Sequence, residues 1–234
     1  MVTRLLTLLA AAVTDLALPR SCLGCCRPGD TVCVTCWAAT GEPRAFTPDP
    51  CPPRFPPTWV AGRYDAVLRS AVLAVKERGR SDLLPLLGAA LVGAVAAAAP
   101  GSGAVLLVPV PSTRAAVRRR GGDHMRLLAR RTTVELQRAG RPVTVLPALR
   151  LLRTPQDSAG LSAAERVCNL DGVFAAGANT RRLAAGACVV LVDDVVTTGT
   201  TLTRCALALG EMGLQVSAAA VAGTTRRSGD RLSG

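Results

Sequence analysis

The sequence predicts an α/β fold, a mostly parallel sheet flanked by helices with a small cysteine knuckle module ahead of it. Three observations carry this. First, residues 104–111 and 187–192 are continuous apolar runs. A short run that is apolar at every position fits a strand buried on both faces, as strands of parallel sheets are. Second, stretches of helical periodicity alternate with these runs, the pattern of strands joined by crossover helices. Third, five of the nine cysteines fall between residues 22 and 36. A secreted disulfide framework would spread them along the chain.

Taken in order, residues 1–18 read as an amphipathic helix with Leu5, Leu8, Leu9, Ala12 and Leu16 on one face. Arg4 and the apolar residues after it resemble a short signal peptide, but Asp15 interrupts the run and no small-x-small cleavage site follows. The expectation is a cytoplasmic protein. The stretch 41–58 is rich in proline and reads as an extended linker. A short strand is expected at 60–64. A helix follows at 65–78, with Leu68, Val72 and Val75 on one face and Asp65, Arg69 and Lys76 on the other. Asp82 is placed to cap a helix over 83–99, which ends at Pro100 and Gly101. After the apolar strand 104–111 come a helix at 123–139 and a β-like stretch at 143–149. Ser162 and Glu165 form a capping-box pattern for a helix at 162–169. The strand 187–192, a helix at 200–212 and a strand at 216–221 complete the series. The expected organisation is a helix and knuckle at 1–40, a linker at 41–58, the α/β domain at 59–225 and a flexible tail at 226–234.

At 234 residues, one large domain with a small appendage is the natural size. Hydrophobic residues make up 49% and charged residues 19%, which excludes disorder as the main state. No uninterrupted apolar run reaches about 18 residues, so no membrane insertion is expected. The net charge of +12 suggests nucleic acid, yet the basic residues are 27 Arg and a single Lys, and aromatics are only 3%. A base-stacking platform is therefore poorly supplied. A local excess remains: residues 114–141 hold nine Arg against Asp123 and Glu135, a net +7. That stretch calls for an anion.

The most informative segment is 189–201. Apolar residues bring a strand to its C-terminal end, where open α/β sheets bind ligands. Asp193 and Asp194 follow, and Val196, Thr197, Thr198, Gly199, Thr200 and Thr201 turn into a helix. Gly199 lets backbone approach a ligand, and N–H groups at a helix start, with added hydroxyls, cradle a phosphate. Phosphate beside paired carboxylates suits a sugar phosphate, the acids accepting from two ribose hydroxyls. No lysine follows the glycine, which excludes a Walker A loop. In the cysteine cluster, Cys22-x-x-Cys25 and Cys33-x-x-Cys36 match a compact tetrahedral structural zinc site. Cys26 is not read as a ligand. Cys168, Cys188 and Cys205 read as buried fillers.

The segment 189–201 resembles the phosphoribosyl-pyrophosphate (PRPP) motif of type I phosphoribosyltransferases. Pro109, Val110, Pro111, Ser112 and Thr113, at the end of the other apolar run, look like the pyrophosphate loop of such enzymes. Arg153, Thr154, Gln156, Gly160, Leu161, Ser162, Glu165, Arg166, Asn169, Leu170, Gly172 and Phe174 resemble a segment of the ComF family of competence-associated members, which begin with a cysteine zinc finger. The resemblance spans residues 16–222. It implies PRPP bound with Mg2+, displacement of pyrophosphate toward an unidentified acceptor, and Asp193 and Asp194 as the catalytic carboxylates. Arg114, Arg118, Arg119 and Arg120 either reach the pyrophosphate or form a solvated basic helix end. Lys76 either reaches the pyrophosphate or lies on a solvated face. The family has Gly-Phe-Asn-Gln after its basic run, where this chain has Gly122, Asp123 and His124. His124, the sole histidine, is expected at the surface or as a helix cap. The rival reading is a binding module that contacts single-stranded DNA or competence proteins through the knuckle and the arginine stretch.

Overall fold

The structure, a computed structural model, describes residues 21–62, 66–153, 170, 172–177 and 186–224. The expected helices at 1–18 and 162–169, Asp65, Cys168 and the tail at 226–234 lie outside the described residues, as does most of the ComF-like segment.

Six strands form one sheet in the order β1 (Arg44–Phe46), β2 (Thr58–Val60), β8 (Ala218–Thr224), β7 (Cys188–Val196), β3 (Val105–Pro109), β4 (Val143–Val145). Only β1 runs antiparallel to its neighbour. The α/β expectation holds. Both apolar runs became central strands, and β3 is buried at all five positions. A separate pair, β5 (Leu149–Leu151) and β6 (Phe174–Ala176), is antiparallel.

Side-chain alternation sorts the strands onto two cores. Val105, Leu107, Val190 and Val192 face one side. There they meet α2 (Ala66–Arg78), α3 (Leu84–Ala98) and α5 (His124–Arg138) through Leu68, Leu91 and Leu128. Leu106, Val108, Val189 and Leu191 face the other side, against Leu202 and Leu209 of α6 (Thr200–Glu211). Gly88 lets α3 and α5 close: a Cβ there would come within 2.9 Å of Arg131 Cβ. Residues 81–98 satisfy the length and hydropathy of a membrane span, but Leu84, Leu87, Leu91 and Val95 bury that apolar surface in the core.

Several expectations need correction. Residues 41–58 supply β1 and the start of β2, and Pro43 packs on Gly93 of α3, so the stretch is part of the body and no free linker. The strand expected at 60–64 ends at Val60. Asp82 does not cap α3. It lies in a 3-10 turn and pairs with Arg80 at 2.7 Å. The stretch 143–149 is broken before Pro147 and divides between the two sheets. The strand expected to end at 192 runs on to Val196.

The topology selects one place on the molecule. From β3 the chain passes through α5 to β4 on one flank; from β7 it passes through α6 to β8 on the other. The strand order therefore reverses between β3 and β7, and the helices leave on opposite faces. The crevice beyond the carboxyl ends of strands at such a reversal is the general ligand site of open α/β sheets.

Candidate functional site

The two loops singled out by sequence lie side by side at this reversal. β3 pairs with β7 as far as Pro109 and Val192, and the Val110 N–H donates to the Val192 carbonyl at 2.9 Å. Beyond that, Asp193, Val195 and Val196 pair with β8 and, among the described residues, not with β3, so one edge of β7 is open toward the loop from β3. Ser112 follows in that loop. Thr113 caps α4 (Arg114–Arg120), its side chain accepting from the Ala116 N–H at 3.2 Å.

Asp193 and Asp194 sit inside the strand, not at its tip, so their side chains leave on opposite faces. Asp194 is buried and bound twice. Lys76 Nζ of α2 lies 2.7 Å from its Oδ1, and His124 Nε2 of α5 lies 2.9 Å from its Oδ2. Burial by itself would raise its pKa, but the Lys76 ammonium and then the His124 contact hold it well below the usual carboxylate range. Asp193 is half-buried and accepts from the Asp194 N–H at 2.9 Å. Burial first, then the neighbouring Asp194 charge, push its pKa up to about 7. The two acids are thus electrostatically divided. Asp194 stays ionised beside the Lys76 ammonium, while Asp193 holds its proton to higher pH.

His124 is not at the surface: it is 8% exposed. The expectation failed because its partners lie far away in sequence. His124 Nδ1 is 3.3 Å from Ser112 Oγ, so Ser112, His124 and Asp194 form one chain of contacts from the loop after β3 to strand β7. Lys76 is not merely on a solvated face; it holds Asp194. Arg120, one of the four arginines expected at the pyrophosphate or on a solvated helix end, is half-buried, and burial lowers its pKa against the pull of Asp194.

The threonine loop is well defined. Gly199 has φ +75° and precedes α6 without any side-chain cap. Thr198 and Thr200 hydroxyls lie 3.0 Å apart, Thr197 is exposed, Thr201 is half-buried and Gly199 and Thr200 are buried. What approaches Gly199 closely is the proline-rich segment. A Cβ on Gly199 would lie 2.5 Å from the Phe55 ring and 3.1 Å from Pro48. Gly199→Ala therefore meets both left-handed backbone and a steric clash. We expect it to destabilise the fold by about 3 kcal/mol, from roughly 1–2 for the backbone and 1–3 for overpacking. Urea unfolding checks this, and a loss below about 1 kcal/mol would mean that Phe55 swings away freely.

Arg114 opens α4 and Arg118 lies in its last turn, both exposed. With Arg126 of α5 and Arg150 and Arg153 of the β5 segment, Arg114 surrounds a cavity of about 370 Å³ beside Pro109, Val110, Pro111 and Ser112. Sequence reading missed Arg126 and Arg150. The local net charge pointed at the first, and nothing local pointed at the second.

At the N-terminal module, the Sγ atoms of Cys22, Cys25, Cys33 and Cys36 all lie within 4.8 Å of one another. That group of four thiols could hold a metal ion such as zinc, whose bonds to sulfur of about 2.3 Å place tetrahedral ligands at such separations. Backbone N–H groups of Cys25 and Cys33 lower the Cys22 thiol to about 6, favouring the thiolate a metal needs. The hydrogen bond to Cys33 pushes Cys36 up to about 12. Gly24 is needed for close approach: a Cβ would sit 2.7 Å from Cys36 Sγ. Cys26 and Cys51 are exposed and outside the group. Cys205 is buried near Asp193 and its thiol is pushed up by burial, as a filler should be. A scan against protein-family models and a search of curated proteins both find no match for this chain.

Proposed function

We propose that the protein is a type I phosphoribosyltransferase-like enzyme of the ComF type that binds PRPP with Mg2+ and transfers its ribosyl group to an acceptor, releasing pyrophosphate. The observation that carries this is the pairing, at the strand-order reversal, of an Asp-Asp-x-x-Thr-Thr-Gly-Thr-Thr segment with a Pro-Val-Pro-Ser-Thr loop. Thr197, Thr198, Thr200 and Thr201, with the free N–H groups at the start of α6, hold the 5′-phosphate. Asp193 accepts from the ribose. Asp194 acts through others, fixing Lys76 and His124 beneath the pyrophosphate loop. Ser112, Thr113, Arg114 and Arg118 face the pyrophosphate, which brings Mg2+ with it as part of the substrate. Charge grows positive on the sugar as pyrophosphate departs, and an ionised Asp193 stabilises it. Catalysis here is positioning plus fixed charge. The cysteine group holds a structural zinc with no open coordination position.

The test is thermal or urea unfolding with PRPP and Mg2+. A ligand that binds only the folded state at a hundredfold excess over its Kd adds about 2.7 kcal/mol. Asp193→Asn should remove most of that gain, measured against the variant's own unliganded unfolding. Absence of any gain in the parent protein, or full retention in Asp193→Asn, overturns the reading. The exposed Arg130 and Arg131 of α5 favour a second reading, single-stranded DNA on the arginine face. Under it, binding falls with salt, each lost phosphate contact lowering the slope by about 0.7.

A further inference from the structure

We propose that Ser112, His124 and Asp194 form a nucleophile, a base and an orienting acid, and that Ser112 takes acyl groups from activated esters. This second activity does not rest on PRPP. The three residues come from the loop after β3, the first position of α5 and the interior of β7, so only the packed fold brings them together. His124 Nε2 lies 2.9 Å from Asp194 Oδ2, while Asp194 Oδ1 meets Lys76 Nζ at 2.7 Å. Each carboxylate oxygen has its own partner, which fixes the oxygen that the imidazole meets. Lys76 keeps Asp194 ionised, and an ionised carboxylate only accepts. In the neutral ring Nε2 therefore carries the hydrogen, and the Nδ1 lone pair is left for Ser112 Oγ at 3.3 Å.

The Ser112 hydroxyl does not cap the helix beside it. Thr113 caps α4, its Oγ1 accepting from the Ala116 N–H. Asp123 Oδ1 also lies near Ser112 Oγ, at 3.4 Å, but that oxygen already accepts from the Arg126 N–H at 3.3 Å. A hydroxyl on a basic ring nitrogen, with a carboxylate on the other nitrogen, is the arrangement that activates a serine. Such contacts are often loose before a substrate enters. His124 is 8% exposed, whereas Ser112 is half-buried and lines the cavity of about 370 Å³. The base is thus shielded from water while the nucleophile opens on a space for substrate. Pro111, Pro147 and Leu152 offer that space an apolar wall for an acyl chain, and Arg114 on the same lining can meet charge developing on the carbonyl oxygen. In the step, Ser112 Oγ bonds to the carbonyl carbon and its proton passes to His124 Nδ1. The carbon–oxygen bond to the leaving alcohol then breaks, and that oxygen takes the proton from Nδ1. Water attacking by the same route frees the acid and restores the serine.

The probes are diisopropyl fluorophosphate, whose phosphorus bonds to serine oxygen as fluoride leaves, and p-nitrophenyl acetate. Peptide mass spectrometry on the full chain should place both marks on Ser112, and Ser112→Ala should lose them. His124→Ala should slow labelling about a hundredfold, the low end of what a positioned base contributes. Added imidazole should return part of that rate, entering by the cavity of about 160 Å³ that His124 lines. A histidine that served only the fold would give no such return. Labelling of the parent protein is read without any variant, so the test holds even where His124→Ala fails to fold. No mark on Ser112 in the parent, or an unchanged rate in folded His124→Ala, overturns the proposal. PRPP with Mg2+ should protect Ser112 from both probes. Labelling of Ser112 that PRPP does not slow keeps the activated serine and removes Ser112 from the PRPP site.

Discussion

Asp194→Ala is expected to cost about 3 kcal/mol of folding stability, the largest loss of any single carboxylate here. Breaking a buried ion pair by removing one partner typically costs roughly 3–5 kcal/mol, because the other charge stays behind. The lower end applies. The Lys76 side chain is 35% exposed and can turn to water, while the His124 ring, at 9%, stays buried and loses its Asp194 hydrogen-bond partner. Asp194→Asn keeps the shape and one acceptor for His124, so it should cost less than the alanine change. The pH dependence separates the two acids. A carboxyl whose folded pKa is depressed contributes stability that is present above the unfolded value, near 4, and lost as pH falls. Asp194 is that case. Asp193, raised to about 7, has the opposite sign: its contribution declines as pH rises from about 4 to 7, since the folded protein holds the proton more tightly. Urea unfolding across pH 3–8 should show a shallower acid-side loss in Asp194→Asn and a removed mid-range decline in Asp193→Asn. An Asp194→Ala protein as stable as the parent would mean that Lys76 and His124 are not held by this carboxylate.

The central strands were legible because burial on both faces leaves a local trace: every residue is apolar. The same rule hid the true length of β7. Asp193 and Asp194 interrupt the apolar pattern, so the run ends at 192, although the strand continues in pairing with β8 to Val196. That difference matters for chemistry, since consecutive strand residues cannot present both carboxylates to one ligand from one face. The proline-rich stretch misled for a related reason. Proline argues against a central strand, but β1 is an edge strand of three residues, where proline nearby costs little. Phe55 on Gly199 and Lys76 and His124 on Asp194 are contacts between residues distant in sequence, and Arg114 and Arg150 line one cavity from distant segments. No local pattern encodes them. The motif supplied the polar groups of the site, and tertiary packing decided which of them remain available to a ligand.

Removal of the proposed zinc is expected to unfold residues 21–40 and leave the α/β body folded. The module has almost no core of its own. Its helix α1 (Val34–Ala38) buries no residue, and Val34 is 83% exposed. Cys22 is its buried cysteine, so in the proposed zinc site four metal–sulfur bonds would replace a hydrophobic interior. Structural zinc in small peptides contributes about 10–16 kcal/mol of apparent binding energy at pH 7, and that energy is folding energy. Metal loss therefore removes far more than the module's packing supplies. The body feels the change only at its contact with the knuckle. Leu23 packs against the core on the α2 side, and Val67 of α2 would lie 2.9 Å from a Cβ on Gly24. Uncovering those two side chains should lower the body's stability by about 2 kcal/mol, the scale for exposing one buried aliphatic residue. Metal analysis should return one zinc per chain, and Cys22→Ser should lose it. Chelation monitored by hydrogen exchange should expose the amides of 21–40 while those of β3, β7 and β8 stay protected. Absence of zinc overturns the metal assignment. Simultaneous loss of protection in β3 and β7 would instead show that the knuckle and the sheet fold as one cooperative unit, with the metal holding both.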